Sequence, residues 1–285
     1  MVTGSNPVRP TKQNGKQLVS NFLKSRREGL SPNSIKFYES YLGLANDVIG
    51  LDTSGQDITQ FLRSLQCSNG GKHAYYRALR VLYNWLYSRK SSYNLNSQDN
   101  PILCVDAPKR PQLILPSLNT EQVKKLIDAC PNVRDKAIIA LFTESGLRKT
   151  ELTNIKVTDI DWQNRIVRVL GKGGKEAYAP FGVLTEKYIK EWLAQYTPKD
   201  NVWGLNHWGI TTMLRRLEKV SGLHCNPHTF RRTFACLLRK AGIDTMTIKD
   251  LGRWESLEMV QRYTRSVTFQ DSLKFYKAPL SQFDY

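Results

Sequence analysis

The 285-residue sequence holds only 5 cysteines and 4 histidines, too few and too scattered for a framework of either. Cys67, Cys104, Cys130, Cys225 and Cys236 never form a C-x-x-C pair and are odd in number, which argues for reduced thiols rather than a zinc site or disulfide scaffold. No apolar run approaches the length needed to span a bilayer, and the polar stretch Met1–Lys16 lacks the apolar segment of a secretory signal. Acidic residues are also scarce. Against 25 Asp+Glu stand 42 Lys+Arg, a net charge of +17. The excess is not confined to a tail: 15 basic against 7 acidic residues lie up to Arg110 (+8), and 27 against 18 lie beyond it (+9). A polyanion touched along most of the molecule explains this better than a membrane patch or a basic arm.

With 40% hydrophobic residues the chain can bury two modest cores. Residues 1–15 read as a flexible tail. Helical periodicity then runs through Val19, Phe22 and Leu23, and through Ile35, Tyr38, Leu42 and Ala45 after Ser31-Pro32. It resumes through Phe61, Leu62 and Leu65 until an expected turn at Asn69-Gly70-Gly71. A fourth helix over about Lys72–Arg89 carries Tyr76, Leu79, Leu82, Tyr83 and Leu86 in register. Residues 16–105 therefore read as a helical bundle. On its last helix Lys72, Arg77 and Arg80, beside Tyr75 and Tyr76, form a strip suited to a DNA groove or, equally, to a solvated face. Prolines 101, 108, 111 and 116 mark the region of a linker, set at 106–118, and a second domain is expected over 119–285.

That second domain begins with a helix capped at Asn119, followed by an apolar helix that Gly146 ends. Strand-like Arg165–Leu170, the loop Gly171–Lys175 and returning Glu176–Pro180 predict a hairpin whose tip bears Lys172 and Lys175. The tip lacks Walker spacing, so a nucleotide-binding loop is rejected. Asn226-Pro227 then opens a helix with an N-cap and a first-turn proline. His228, Arg231 and Arg232 crowd its positive end, an arrangement that suits an anion, of which phosphate is the natural example. The expected fold is mainly α with a small sheet in the second half.

Taken singly, Trp254 and Tyr263 read as packing aromatics, and a capped surface helix explains the arginines. Taken in order, Ser145-Gly146-Leu147-Arg148-Lys149-Thr150-Glu151-Leu152, Lys172, His228-x-x-Arg231, Leu251-Gly252-x-Trp254 and Tyr263 nine residues further on resemble the tyrosine recombinase (phage-integrase-type) family. The size is similar to its Xer branch. Tryptophan at 254, where many members have histidine, is similar to the Cre-like branch, and Arg232 stands where many members have histidine. The resemblance covers Asn119–Thr264 in detail and the helical half more loosely.

It implies a helical core-binding domain, a mixed α/β catalytic domain and a 3′-phosphotyrosyl intermediate. Tyr263 would be the nucleophile, with Arg148 and Arg231 gripping the scissile phosphate as planar forks. Lys172 would protonate the leaving 5′-oxygen, His228 would assist proton transfer, Trp254 would brace the phosphate and Glu151 would orient the cations. Lys72, Arg77, Arg80 and Lys175 are the expected DNA-backbone contacts. Neither a cofactor nor a metal is implied. The expected partner is double-stranded DNA with an inverted-repeat core site, bound by a homotetramer on two duplexes, with a monomer or dimer when free. The expected setting is the cytoplasm, prokaryotic or phage- or mobile-element-encoded, in association with the nucleoid. Two other readings remain open, a type IB topoisomerase and a non-catalytic DNA-binding protein on the same fold. An apolar tail at Leu273, Phe275 and Tyr276 before Pro279 is expected either to dock on a neighbouring subunit or to pack on its own domain.

Overall fold

Serine hydroxyls start three of the four helices that build the N-terminal part of the chain. In the computed structural model, which describes residues 15–111, 113–171 and 174–276, the chain divides into two units, Met1–Gln112 and Leu113–Tyr285. The first contains α1 (Gly15–Arg26), α2 (Pro32–Leu44), α3 (Gly55–Ser64) and α4 (Asn69–Leu86). Ser31, Ser54 and Ser68 cap α2, α3 and α4 by accepting from the N–H groups of Ser34, Asp57 and Gly71. Leu18, Phe22, Leu42, Ile58, Leu79, Leu82, Tyr83 and Leu86 fill the core between them.

Asn69-Gly70-Gly71 is not the turn that its composition suggests. It forms the first helical turn of α4, because the Ser68 cap compensates for the poor helix propensity of two glycines. The aromatic neighbours of the basic strip also turn inward: Tyr76 is buried, and Tyr75 packs edge-on against Tyr41 and Phe61. Short 3₁₀ turns at Ser97–Asp99 and Pro101–Cys104 bring Ile102 into the same core. The tail expected over 1–15 lies outside the described residues except for Gly15, which already belongs to α1.

The second unit runs α5 (Thr120–Asp128), α6 (Val133–Ser145), α7 (Lys149–Thr153), β1 (Ile160–Asp161), β2 (Ile166–Leu170), β3 (Glu176–Pro180), α8 (Val183–Leu193), α9 (His207–Ser221), α10 (Pro227–Lys240), α11 (Thr245–Leu251), α12 (Leu257–Tyr263) and α13 (Phe269–Leu273). The sheet is antiparallel in the order β1-β2-β3, with Val167 opposite Ala179. Two-residue β1 is too short to leave an alternating pattern in the sequence. Helix α6 is the hub, buried from Ala137 through Thr143 and packed against α5, α8 and α10. Such a helix shows no amphipathic stripe because it has no solvent face. Phe142 on α6 stacks on Phe230 of α10 at 5.5 Å, which fixes α10 against the hub. Beyond it a smaller cluster, Phe234, Ala235, Ile248, Trp254 and Val260, joins α10 to α11 and α12. No described helix is long and apolar enough to cross a membrane.

Candidate active site

Helix α10 begins as its sequence dictates: the Asn226 side chain accepts from the Thr229 N–H at 2.9 Å, and Pro227 occupies the first turn. Arg231, one turn in, is only 2% exposed. Its guanidinium donates to the carbonyl oxygens of Gly146 and, at 2.9 Å, Gly252, and lies 4.7 Å from the centre of the Trp254 ring. Both carbonyls come from helix ends. Gly146 ends α6 with φ +57°, and a Cβ there would stand 2.6 Å from the Phe234 ring. Two of five N–H donors are thus used to orient the fork. Burial, then the charges of Arg148 and Arg253, bring the Arg231 pKa down to about 10, so it stays cationic at neutral pH.

Arg148 stands at the N-cap of α7, immediately after the turn that ends α6. Its backbone N–H donates to Glu151 at 2.8 Å and its guanidinium to the other carboxylate oxygen at 2.6 Å. Glu151 is 5% exposed. Burial pushes its carboxyl up, but the Arg148 backbone and side-chain bonds and the Arg253 charge outweigh this, so the pKa is lowered and the group is ionised.

Arg253 is a site residue that the sequence does not single out. It adopts φ +56°, approaches Glu151 at 3.6 Å, and donates to the carbonyl oxygens of Leu251 at 2.9 Å and Ser145 at 3.3 Å. It ties the ends of α6 and α11 to the carboxylate. Nothing in its sequence position distinguishes it from a solvated arginine, because its role depends on burial.

Trp254 is buried, and its indole N–H has no acceptor among the described residues. A buried donor left unpaired is costly unless a partner arrives with a ligand. The ring lies 5.4 Å from that of Tyr263, the last residue of α12. Tyr263 lines a cavity of about 470 Å³ together with His228, Asn226, Arg232, Leu115 and Pro116. His228 is open to solvent on one side. Desolvation of its packed side, then Arg231, Arg232 and Arg148, lower its pKa and favour the neutral imidazole.

Arg232 lines the His228 and Tyr263 cavity but has other partners than Arg231. Its Nε donates to the Pro116 carbonyl at 2.9 Å and a terminal nitrogen to the Thr229 hydroxyl at 3.0 Å. Adjacent positions on a helix point about 100° apart, so only one of the pair shares the Arg148 and Trp254 side.

Lys172 lies outside the described residues. Lys175 is exposed, with its carbonyl accepting from the Gly171 N–H at 2.8 Å across the hairpin base. In the first unit Arg77 and Arg80 are exposed, Arg77 lies over the Phe37 ring at 5.0 Å, and Lys72 donates to the Arg63 carbonyl at 3.0 Å. Burial and then the charges of Arg110, Arg77 and Arg80 lower the His73 pKa. No group of three His, Cys, Asp or Glu among the described residues is placed to hold a metal ion.

Arg148, Arg231 and Arg253 against the single carboxylate of Glu151 form a cluster two positive charges in excess, near the Tyr263 phenol and the His228 imidazole. A cluster with that excess of positive charge suits an anion. Comparison with known proteins points the same way. The sequence profile of the phage integrase family matches residues 116–268. The chain is 33% identical over 193 residues to tyrosine recombinase XerC of Mannheimia succiniciproducens, covering 62% of this chain and 65% of that protein. It is 28% identical over 252 residues to tyrosine recombinase XerA of Pyrococcus horikoshii, covering 85% and 86%. The fold is similar to that of a lambda integrase dimer bound to a COC′ core site, with TM-score 0.74 at 15% identity over 87% of this chain and 94% of that one. It is also similar to XerA recombinase, with TM-score 0.52 at 21% identity over 91% and 97%.

Proposed function

This chain belongs to the phage integrase family and is a site-specific tyrosine recombinase, which cleaves and rejoins DNA strands, and from that premise we propose how its residues divide the chemistry. The observation that carries the assignment is Arg231, buried, fixed by two backbone carbonyls and covered by Trp254, whose ring meets Tyr263.

Tyr263 attacks the scissile phosphate, leaving a 3′-phosphotyrosyl bond and a free 5′-hydroxyl. Arg231 and Arg148 neutralise the non-bridging oxygens, and the orphan indole N–H of Trp254 donates to one of them. His228, held neutral, accepts the phenol proton. Glu151 keeps Arg148 and Arg253 aimed without entering the reaction. Lys172, at the hairpin tip by sequence, protonates the leaving oxygen. Because phosphodiester energy is retained in the protein–DNA bond, rejoining needs no high-energy cofactor.

DNA is the partner. Lys72, Arg77, Arg80 and Lys175 contact its backbone, on an inverted-repeat core site. Two duplexes are joined by a homotetramer, a reading supported by the exposed apolar side chains Phe269, Leu273, Phe275 and Tyr276 after the nucleophile. The expected setting is the cytoplasm of a prokaryote.

Covalent capture tests the assignment. The protein is incubated with nicked duplexes carrying sites selected from random-sequence DNA, then denatured, digested and weighed. A nucleotide on Tyr263, lost in Tyr263→Phe by on the order of 10⁴-fold or more, is the expected result. An adduct on a different tyrosine, or unaltered cleavage by Tyr263→Phe, would refute it.

A further inference from the structure

Helix α12 carries the proposed nucleophile but has little to hold it. It is seven residues long, and only Val260 on it is buried. A helix this short does not persist unaided, and the carbonyl oxygens of its last turn have no intrahelical partner. One of these, the oxygen of Tyr263 itself, accepts a hydrogen bond from the thiol of Cys236 on α10 at 3.2 Å. The same sulfur lies 3.2 Å from the Ser266 hydroxyl, which lies 3.1 Å from the Ser117 hydroxyl. Ser117 is fastened on both sides. The carbonyl of Pro116 accepts from Arg232, and the N–H of Leu118 donates to the Thr233 hydroxyl at 2.9 Å.

Residues 232, 233 and 236 form one side of α10, distinct from the side on which Arg231 meets Gly146, Gly252 and Trp254. The helix that aims the phosphate-binding guanidinium on one side therefore grips the nucleophile's backbone on the other. Cys236 is 1% exposed, so solvent does not compete for its weak donor.

We propose that Cys236 is a positioning residue for Tyr263: its thiol, braced by Ser266, Ser117 and the Arg232–Pro116 bond, sets the distance between the end of α12 and the arginine on α10. This rests on Tyr263 being the nucleophile. Small displacements of a reacting group are expensive in rate, because attack needs near-contact and alignment. A thiol, which is larger than a hydroxyl but still a donor, meets both the spacing and the bonding requirement.

Three readouts on Cys236→Ala and Cys236→Ser test this: the single-turnover rate of adduct formation on the nicked duplexes, the affinity for the same DNA, and amide hydrogen exchange across 257–267. In Cys236→Ala the cleavage rate falls about tenfold with affinity within about twofold, as expected for a geometric rather than a binding defect. Exchange in the segment rises. Cys236→Ser, which keeps a donor, restores most of the rate and the protection. Ser117→Ala and Ser266→Ala each give a smaller loss, and combining either with Cys236→Ala adds little, as members of one connected network should.

Native cleavage and exchange in Cys236→Ala would overturn the proposal, as would a serine variant no better than alanine. If the native protein places no adduct on Tyr263, the nucleophile assignment fails. The exchange data then still decide whether the thiol holds the end of α12.

Discussion

The two units bury different kinds of residue. Among the described residues of the first, the buried polar side chains are those of Ser91 and Asn100, and no charge is buried. The second buries Asp135, Glu151, Arg231 and Arg232 along with seven Ser or Thr residues. The sequence carries similar net charges up to and beyond Arg110, +8 and +9, so net charge does not foretell the difference. The first holds its basic side chains outward over an apolar core, as a stable carrier of surface charge does. The second draws charge inward, where desolvation opposes folding and each ion depends on its neighbours. Buried charge of this kind marks where binding and chemistry were favoured over stability.

The contrast can be broken most sharply at Glu151. Glu151→Gln leaves Arg148 and Arg253 facing one another without a counter-charge. We expect a loss of about 3 kcal/mol of stability in the second unit, read by denaturant unfolding, together with a severe loss of covalent adduct. A neutral effect on both would mean that the carboxylate is dispensable and that the contrast between units carries no functional meaning.

A smaller effect is expected at His228. Its folded-state pKa lies below the ordinary value of 6.5, so between the two values the unfolded chain binds more protons and stability rises with pH. In His228→Gln that rise through the window below 6.5 flattens. The cleavage rate falls about a hundredfold, the low end of the range for general acid–base assistance, and loses its acid limb. A titration of stability and of subsaturating cleavage rate from pH 5 to 8 reads both, and unchanged profiles would remove His228 from proton transfer.

The mildest change is expected in the first unit. Arg77→Gln with Arg80→Gln should weaken DNA binding uniformly across sequences and lower the slope of log affinity against log salt by about one for each arginine replaced. Cleavage at saturating protein should keep its rate. A selective weakening on some sequences would instead place these side chains against base edges.

The sequence discloses its elements where local chemistry decides them. Asn119 and Asn226 cap helices as their side chains require, Gly146 ends one in the left-handed region, and the β2–β3 hairpin follows the alternation of Arg165–Leu170. Asn69-Gly70-Gly71 reads as a turn but folds as helix because a single hydroxyl from Ser68 shifts the balance. Arg148, Glu151, His228, Arg231, Trp254 and Tyr263 can be picked out by order and spacing. In the structure Arg148 pairs with Glu151, Arg231 lies under Trp254, Trp254 meets Tyr263, and Tyr263 shares a cavity with His228, while Lys172 lies outside the described residues. Arg253 and the Cys236–Ser266–Ser117 network are invisible in the sequence for a shared reason. Their partners lie far away along the chain, and a buried arginine or thiol has the same letter as an exposed one. Arg231 and Arg232 are adjacent in sequence but hydrogen-bond to different partners, which their letters do not reveal.

Gly146 carries a consequence for anyone diversifying this protein to new DNA targets. One residue stops α6, leaves room for the Phe234 ring and supplies a carbonyl to Arg231. Any side chain there would disturb all three together, so variants at 146 would be lost to selection whatever the target. Exposed positions are the better place for diversity, because a change there leaves the buried cluster untouched. A library that spares the glycine and confines its randomised codons to exposed positions loses fewer members to misfolding.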